Sequence, residues 1–398
     1  MKVSAPGNPA AQRELAAAAI RRRLVAHLAA GGSTDFAAAP FENPVACYTD
    51  PVRAALETER LFLQGPLLAG LSGEIPRPGD RLVFEAVGRS VIVVRNAVGQ
   101  VRAFRNMCAH RGAKLLRPGV AEQGARITCP FHAWSYDLDG VLRGVPGAAG
   151  FAGLDLHSRA LQCVPVAEWH GLIFVRLEGA EAIDCSQHLG EFAPLLEQLE
   201  LAGFTPVQRS ALRAKTNWKY ALDTYGESYH FGVLHAATIG ATHLTNVAAF
   251  DAFGRHWRLS FAARTLAALV GQPETSWPRA SYDGIHFIFP NTIMVVGAPG
   301  ESQAFVRLFR LFPGERPGEM SCQFSVHAHG LSAEEFRSLG GGVVDSESEV
   351  TWEDYRVAED AYENLARSGP QVRLVFGRNE PALQAFHRAV AAAIGVPL

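Results

Sequence analysis

The chain has 398 residues, 48% of them hydrophobic and 19% charged, and a formal net charge of −2. That length predicts two domains rather than one core, and the near-neutral balance gives no electrostatic case for nucleic acid. No run of about eighteen apolar residues exists to span a membrane, and Arg21-Arg22-Arg23 follows the short apolar stretch Ala16–Ile20 instead of preceding it, which is not a signal-peptide pattern.

In chain order, Gln12 to Ala30 is rich in Ala, Leu and Arg and free of Pro and Gly, which predicts a helix ending at Gly31-Gly32. Prolines 40, 44 and 51 mark a looser stretch, and a helix is expected over Ala54–Phe62. From Gly79 the pattern changes to short apolar strands, Arg81–Glu85, Ser90–Arg95 and Val101–Arg105, with a last one at Gly171–Leu177. The second half reads as a helix over Ile183–Leu201, a strand over Val207–Lys215 and a helix over Trp218–Leu234. Strands follow at His256–Ala262, His286–Val296, Ala304–Phe312 and Met320–His327, then helices over Glu347–Arg367 and Pro381–Ile394. Strands closed by long helices make the expected class α+β. The expected division is an N-terminal helical segment over residues 1–55 packing on the last domain, a small all-β domain over 56–178, and a second domain over 179–398.

Within the β domain, Cys108-Ala109-His110 is followed eighteen residues later by Cys129-Pro130-Phe131-His132. Two thiolates and two imidazoles can hold a [2Fe–2S] cluster asymmetrically, cysteines on one iron and histidines on the other. A Cys2His2 zinc site is the ordinary alternative, but zinc loops pair like ligands, whereas each half here carries one of each. The other four cysteines, at 47, 163, 185 and 322, show no paired spacing, which fits reduced thiols in the cytoplasm.

The second constellation is Glu227-Ser228-Tyr229-His230-Phe231-Gly232-Val233-Leu234-His235. Two histidines and a carboxylate on one face of Fe(II) leave positions open for O2 and substrate. Residues five apart lie about 140° around a helix, so His230 and His235 meet one metal only if the helix breaks between them, with Gly232 a candidate break. Two acids compete for the third place. Asp354 shares a stripe with Ala358, Ala361 and Leu365, where a core-facing acid needs a partner. Asp360 lies among Arg356, Glu363, Asn364 and Arg367, an ordinary solvated helix face. The stripe favours Asp354.

The stretch Asn106–Ala113 with Cys129–Gly140 resembles the Rieske domain of ring-hydroxylating oxygenases, and Asn217–His235 resembles the iron-binding segment of their α subunits. The resemblance runs from about Glu57 to the C-terminus. It implies Cys108, His110, Cys129 and His132 on a [2Fe–2S] cluster, with Trp134 beside it, and His230, His235 and Asp354 on Fe(II), within the Glu353-Asp354 pair. It also implies that Glu227 links the sites through a hydrogen bond to His132 of a neighbouring subunit in a homotrimer, and a helix-grip catalytic fold. Three departures stand out: Ala133 where the family usually has Gly, Thr224 in place of Asn, and Glu227 where Asp is commoner and Glu marks some demethylating and carnitine-type members. Ala113 and Phe131 stand where respiratory Rieske proteins carry a disulfide, which implies a potential at the low end of the range, near about −150 mV.

The function implied is the terminal oxygenase of a Rieske non-haem iron system. A flavin reductase, with or without a ferredoxin, would supply NAD(P)H electrons, and O2 would hydroxylate or dihydroxylate a small aromatic or other hydrophobic substrate, as in aromatic hydrocarbon catabolism. The alternative is an N- or O-demethylating monooxygenase acting on a quaternary ammonium or methoxy compound. A Rieske electron carrier is a remote third, holding two irons per chain instead of three. Tyr225, Phe231 and Trp257 are candidate pocket aromatics, while His243 and His256 are expected at the surface or behind the site.

Overall fold

Val91, Ile92, Val93 and Val94 form an unbroken apolar run, and all four are fully buried at the centre of a meander made by Arg81–Ala86, Arg89–Arg95 and Val101–Arg105. The computed structural model describes residues 9–119, 123–278, 284–297, 303–338 and 349–398. It divides into two compact units, one built from Glu59–His188 with Leu201–Thr205, the other from Met1–Thr58, Leu189–Glu200 and Pro206–Leu398.

The smaller unit is all-β apart from short turns. Besides the meander it holds a sheet of Pro66–Leu71, Leu172–Arg176 and Val166–Trp169, and a small one of Ile127–Thr128, Ser135–Tyr136 and Leu142–Gly144. Phe104, Ile127, Trp134 and Tyr136 share one buried cluster with Cys108 and Cys129, so the cysteine loops are anchored in the core from which they emerge.

The larger unit is built on a seven-stranded sheet. Its order is Thr205–Ala214, Met320–His329, Ala304–Pro313, Thr292–Gly297, Gly284–Ile288, His256–Ala263 and His243–Phe253. Trp257, Phe287, Ile293, Phe309 and Phe324 lie in register across five of these strands, on one face. On that face Phe386 of the helix Pro381–Ile394 meets Phe287 at 5.4 Å, and Tyr225, in the turn after the helix Trp218–Asp223, meets Phe309 at 5.1 Å. The fold is therefore α+β, a small Rieske-type β unit and a helix-grip unit.

Three expected elements differ. The helix expected over Ile183–Leu201 is broken into Cys185–Leu189, Gly190–Phe192, Ala193–Glu197 and Leu201–Gly203, since Gly190 and Pro194 interrupt it. The strand expected over His286–Val296 is a hairpin, turning at Phe289-Pro290-Asn291. The helix expected over Trp218–Leu234 stops at Asp223. Strands at Pro66–Leu71 and His243–Phe253 were not expected; the latter carries a bulge between His243 and Ala248 that spoils its alternation. The late helix runs Glu349–Leu365, and its expected first two residues, 347 and 348, lie outside the described residues.

Candidate metal centres

The two cysteine loops are tight turns of the same design. Cys108 N–H donates to Ala113 O at 2.9 Å and Gly112 N–H to Cys108 O at 2.9 Å; Cys129 N–H donates to Trp134 O at 2.8 Å and Ala133 N–H to Cys129 O at 3.0 Å. Each turn needs one left-handed residue. The first uses Gly112 at φ +73°, and the second forces Ala133 to φ +58°, a conformation that crowds its Cβ.

Both cysteines are buried, whereas His110 is half-buried and His132 exposed. The imidazoles lie 4.8 Å apart, and His110 stacks on Trp134 at 4.7 Å with planes only 8° apart, which fixes its ring. Tyr136, which sequence reasoning passed over, hydrogen-bonds Cys108 Sγ at 3.2 Å and accepts from Ala109 N–H at 3.0 Å. Burial, then the Cys108 contact, pushes its phenol up; a hydrogen bond to the sulfur of a bound cluster would favour the reduced state. Among the described residues, three donor side chains with all donor atoms within 4.8 Å of one another occur at one place, and it is not here.

That one place is His230, His235 and Asp354. Its scaffold begins with Asn217, which caps the helix Trp218–Asp223 by accepting from Lys219 N–H at 3.0 Å, and donates to Tyr48 O at 2.8 Å and Pro317 O at 2.9 Å. Trp218 Nε1 donates to Glu57 at 3.0 Å, and Lys219 Nζ pairs with the same carboxylate, all three buried. The helix ends because Asp223 is drawn aside, accepting from Tyr48 Oη at 2.7 Å and pairing with His387 Nε2 at 2.9 Å. Gly226 then passes so close to the C-terminal helix that a Cβ would lie 2.5 Å from Leu383 Cδ2.

The segment carrying the histidines is a run of turns rather than a helix, so the expected 140° separation does not arise. Gly240 closes it: its N–H donates to His235 O at 2.8 Å, and a Cβ there would meet Phe231 O at 2.4 Å. His235 Nε2 stands 2.9 Å, and His230 Nε2 3.5 Å, from the same Asp354 Oδ1. Both Nδ1 atoms face carboxylates: Glu227 for His230, and Glu353 for His235 at 2.7 Å. An imidazole whose Nδ1–H is held this way presents a lone pair at Nε2, the tautomer a metal needs. His230 Nε2 is buried with no hydrogen-bond partner, and Asp354 is only 4% exposed. Burial raises the Asp354 carboxyl, with His235 pulling it back; burial lowers His235, but Asp354 and Glu353 outweigh it and leave it raised. An orphaned imidazole nitrogen beside a buried acid fits a divalent metal.

Asp360 is exposed on the same helix, outside this group. Glu227 turns its carboxylate to its own His230, also accepting from His230 N–H at 3.3 Å. Phe231 packs against His230 at 5.1 Å and Phe261 at 4.9 Å, beside the site. Tyr225 bonds Tyr355 Oη at 3.0 Å, while Trp257 is core, stacked on Phe287. His256 is not at the surface: it is buried, accepts from Phe289 N–H at 3.1 Å and stacks on Phe192. His243 is half-buried beside Thr242.

A family model for the ring hydroxylating alpha subunit (catalytic domain) matches residues 201–395, and one for the Rieske [2Fe-2S] domain matches residues 66–165. The glycine betaine monooxygenase oxygenase subunit of Pseudomonas aeruginosa is 32% identical over 198 residues, 49% of this chain and 45% of that protein. The carnitine monooxygenase oxygenase subunit of Escherichia coli is 32% identical over 48% of this chain and 51% of its own length, and the chloroplastic choline monooxygenase of Spinacia oleracea 31% over 48% and 44%. The matched stretch thus spans about half the length of these relatives. The crystal structure of a quaternary ammonium Rieske monooxygenase with L-carnitine has the same fold, with a TM-score of 0.73 at 21% identity over 90% of this chain and 96% of that one. Naphthalene 1,2-dioxygenase from Rhodococcus sp. shares it too, with a TM-score of 0.70 at 18% identity over 94% and 97%.

Proposed function

Because the chain belongs to the Rieske ring-hydroxylating oxygenases, whose cofactors are a [2Fe–2S] cluster and a mononuclear iron, we propose that it is the terminal oxygenase of a monooxygenase system acting on a small quaternary ammonium compound. One observation carries the oxygenase assignment: two Nε2 atoms and one carboxylate oxygen gathered at a buried point, with both Nδ1 atoms held by acids. An electron carrier has no use for that second centre. Of the two substrate classes left open by the sequence, the quaternary ammonium class is favoured by Glu227 in place of Asp and by the betaine, carnitine and choline in the names of its relatives.

In this reading Cys108, Cys129, His110 and His132 hold the cluster, and His230, His235 and Asp354 hold the iron. The iron when bound supplies the activation of O2. Asp354 and the two imidazoles would hold it from one side, which would leave room for O2 and substrate. Phe231, packed against His230 and backed by Phe261, makes one side of the site apolar. Glu227 holds the His230 Nδ1 proton and, with four acceptor positions on its carboxylate, has room for a further donor, for which His132 of a neighbouring subunit in a homotrimer is the candidate. Electrons would come from a flavin reductase, with or without a ferredoxin.

The test is a single turnover. The reduced holoenzyme is mixed with O2 and betaine, carnitine or choline, and dealkylated or hydroxylated product is measured, with iron per chain alongside. About three irons per chain and product from at least one ammonium substrate are expected. Product from naphthalene but from no ammonium compound would overturn the substrate class, and two irons per chain would overturn the oxygenase.

A further inference from the structure

We infer that Glu353 is a positioning residue for the mononuclear iron, aiming His235 as Glu227 aims His230; this rests on the ligand reading above. Glu353 precedes Asp354 on the helix Glu349–Leu365, so the two side chains leave it about 100° apart. The His235 ring lies across that gap, with Nδ1 at 2.7 Å from Glu353 Oε2 and Nε2 at 2.9 Å from Asp354 Oδ1. Rotating the ring about its long axis breaks one contact or the other. Thr238 Oγ1 donates to the same Glu353 oxygen at 3.2 Å, and so ties the acid to the turn that follows His235.

A surface ion pair is the ordinary reading of a helix glutamate. It does not suit this one, because its partner His235 is 1% exposed. A buried ring N–H must be accepted by something, and among the described residues Glu353 is the acceptor at His235 Nδ1. The arrangement backs each of the two histidines with an anion at Nδ1, though the anions come from unrelated places. Glu227 lies three residues before its histidine, and Glu353 lies 118 residues after its own. The His235 contact also joins the turn segment to the helix that carries Asp354, so Glu353 sets the spacing between ligands contributed by distant parts of the chain.

The experiment uses the full chain with its cluster assembled. Anaerobic competition with a chelator gives mononuclear Fe(II) affinity, the visible spectrum reports the cluster, and melting of the iron-stripped protein reports folding. Glu353→Ala should weaken Fe(II) binding about 10- to 100-fold with the cluster spectrum unchanged, and Glu353→Gln, which keeps a neutral acceptor, should fall at the low end of that range. Asp354→Ala is the control and should lose the iron. Wild-type affinity in both Glu353 variants, with the iron lost in Asp354→Ala, overturns the inference and spares the ligand set. Iron retained in Asp354→Ala overturns the ligand set itself. A lower melting temperature with unchanged affinity makes Glu353 merely structural and also overturns the inference.

Discussion

Removing Glu57 should destabilise the larger unit more than removing Lys219, although both sit in one buried ion pair. Glu57 and Lys219 are each 1% exposed, and Glu57 also accepts from Trp218 Nε1 at 3.0 Å and faces Arg53 Nε at 3.7 Å. The cluster thus holds two cations and one anion. Two charges about 4 Å apart attract by about 4 kcal/mol at an effective dielectric constant near 20, and stranding a buried charge costs about 3–5 kcal/mol. Lys219→Met leaves the carboxylate with Arg53 and the indole, so about 3 kcal/mol is expected. Glu57→Gln leaves two buried cations facing each other without an anion, so about 5 kcal/mol is expected. Burial lowers Lys219, with Glu57 holding it up. Without Glu57 that lysine sheds its proton more readily in the fold than in the unfolded chain. The unfolded state then binds more protons, stability rises with pH, and the Glu57→Gln deficit shrinks toward alkaline pH. Urea unfolding followed by far-UV circular dichroism at pH 7 and pH 9 reads all of this. A Lys219→Met loss equal to or greater than that of Glu57→Gln, or a Glu57→Gln deficit that grows with pH, refutes the reasoning.

Cys108→Ser and His132→Ala should each abolish the visible absorption of the cluster, and a wild-type spectrum from either would remove that residue from the ligand set. Asp354→Ala should lose about one iron per chain while Asp360→Ala keeps it, because only the first is buried beside both imidazoles; metal analysis with the opposite result would mean the wrong acid was chosen. Ala133→Gly should stabilise the smaller unit by about 0.5–1 kcal/mol, since left-handed backbone costs alanine more than the extra freedom of glycine costs the fold, and a lowered melting temperature would contradict that. Burial lifts the Glu380 carboxyl from 4.5 to about 7, so its contribution is present in acid and lost as pH rises through 7; Glu380→Gln should gain on wild type at pH 8 and not at pH 5, as melting curves will show.

The two cysteine–histidine loops were legible in the sequence because each pair is local. Each Cys–His pair sits in one turn, and the turn is closed by its own backbone. Asp354 was legible because a helix face is periodic, so Ala358 and Leu365 report where it points. Glu353 was not, although it stands next door. Its role depends on which edge of His235 reaches it, and His235 lies 118 residues away. Tyr136 was missed for a related reason: a tyrosine between a serine and an aspartate reads as an ordinary strand residue until the fold brings its hydroxyl to Cys108.

The largest local error, the helix carried on to Leu234, shows why the metal site needs the fold around it. The sequence after Asp223 has few strong breakers, and propensity alone continues the helix. What stops it comes from elsewhere in the chain: His387 and Tyr48 take the Asp223 carboxylate, and Leu383 leaves room only for a glycine at 226. Asn379 then donates to Asn246 at 3.0 Å, and Asn246 N–H donates to Ser228 O at 3.1 Å, pinning the far side of the same segment. His387, Leu383 and Asn379 belong to the C-terminal helix Pro381–Ile394 or the turn before it. That helix therefore acts on the metal site without contributing a ligand. It holds open a run of turns in which two histidines five residues apart can bring both Nε2 atoms to one carboxylate, as no regular helix could.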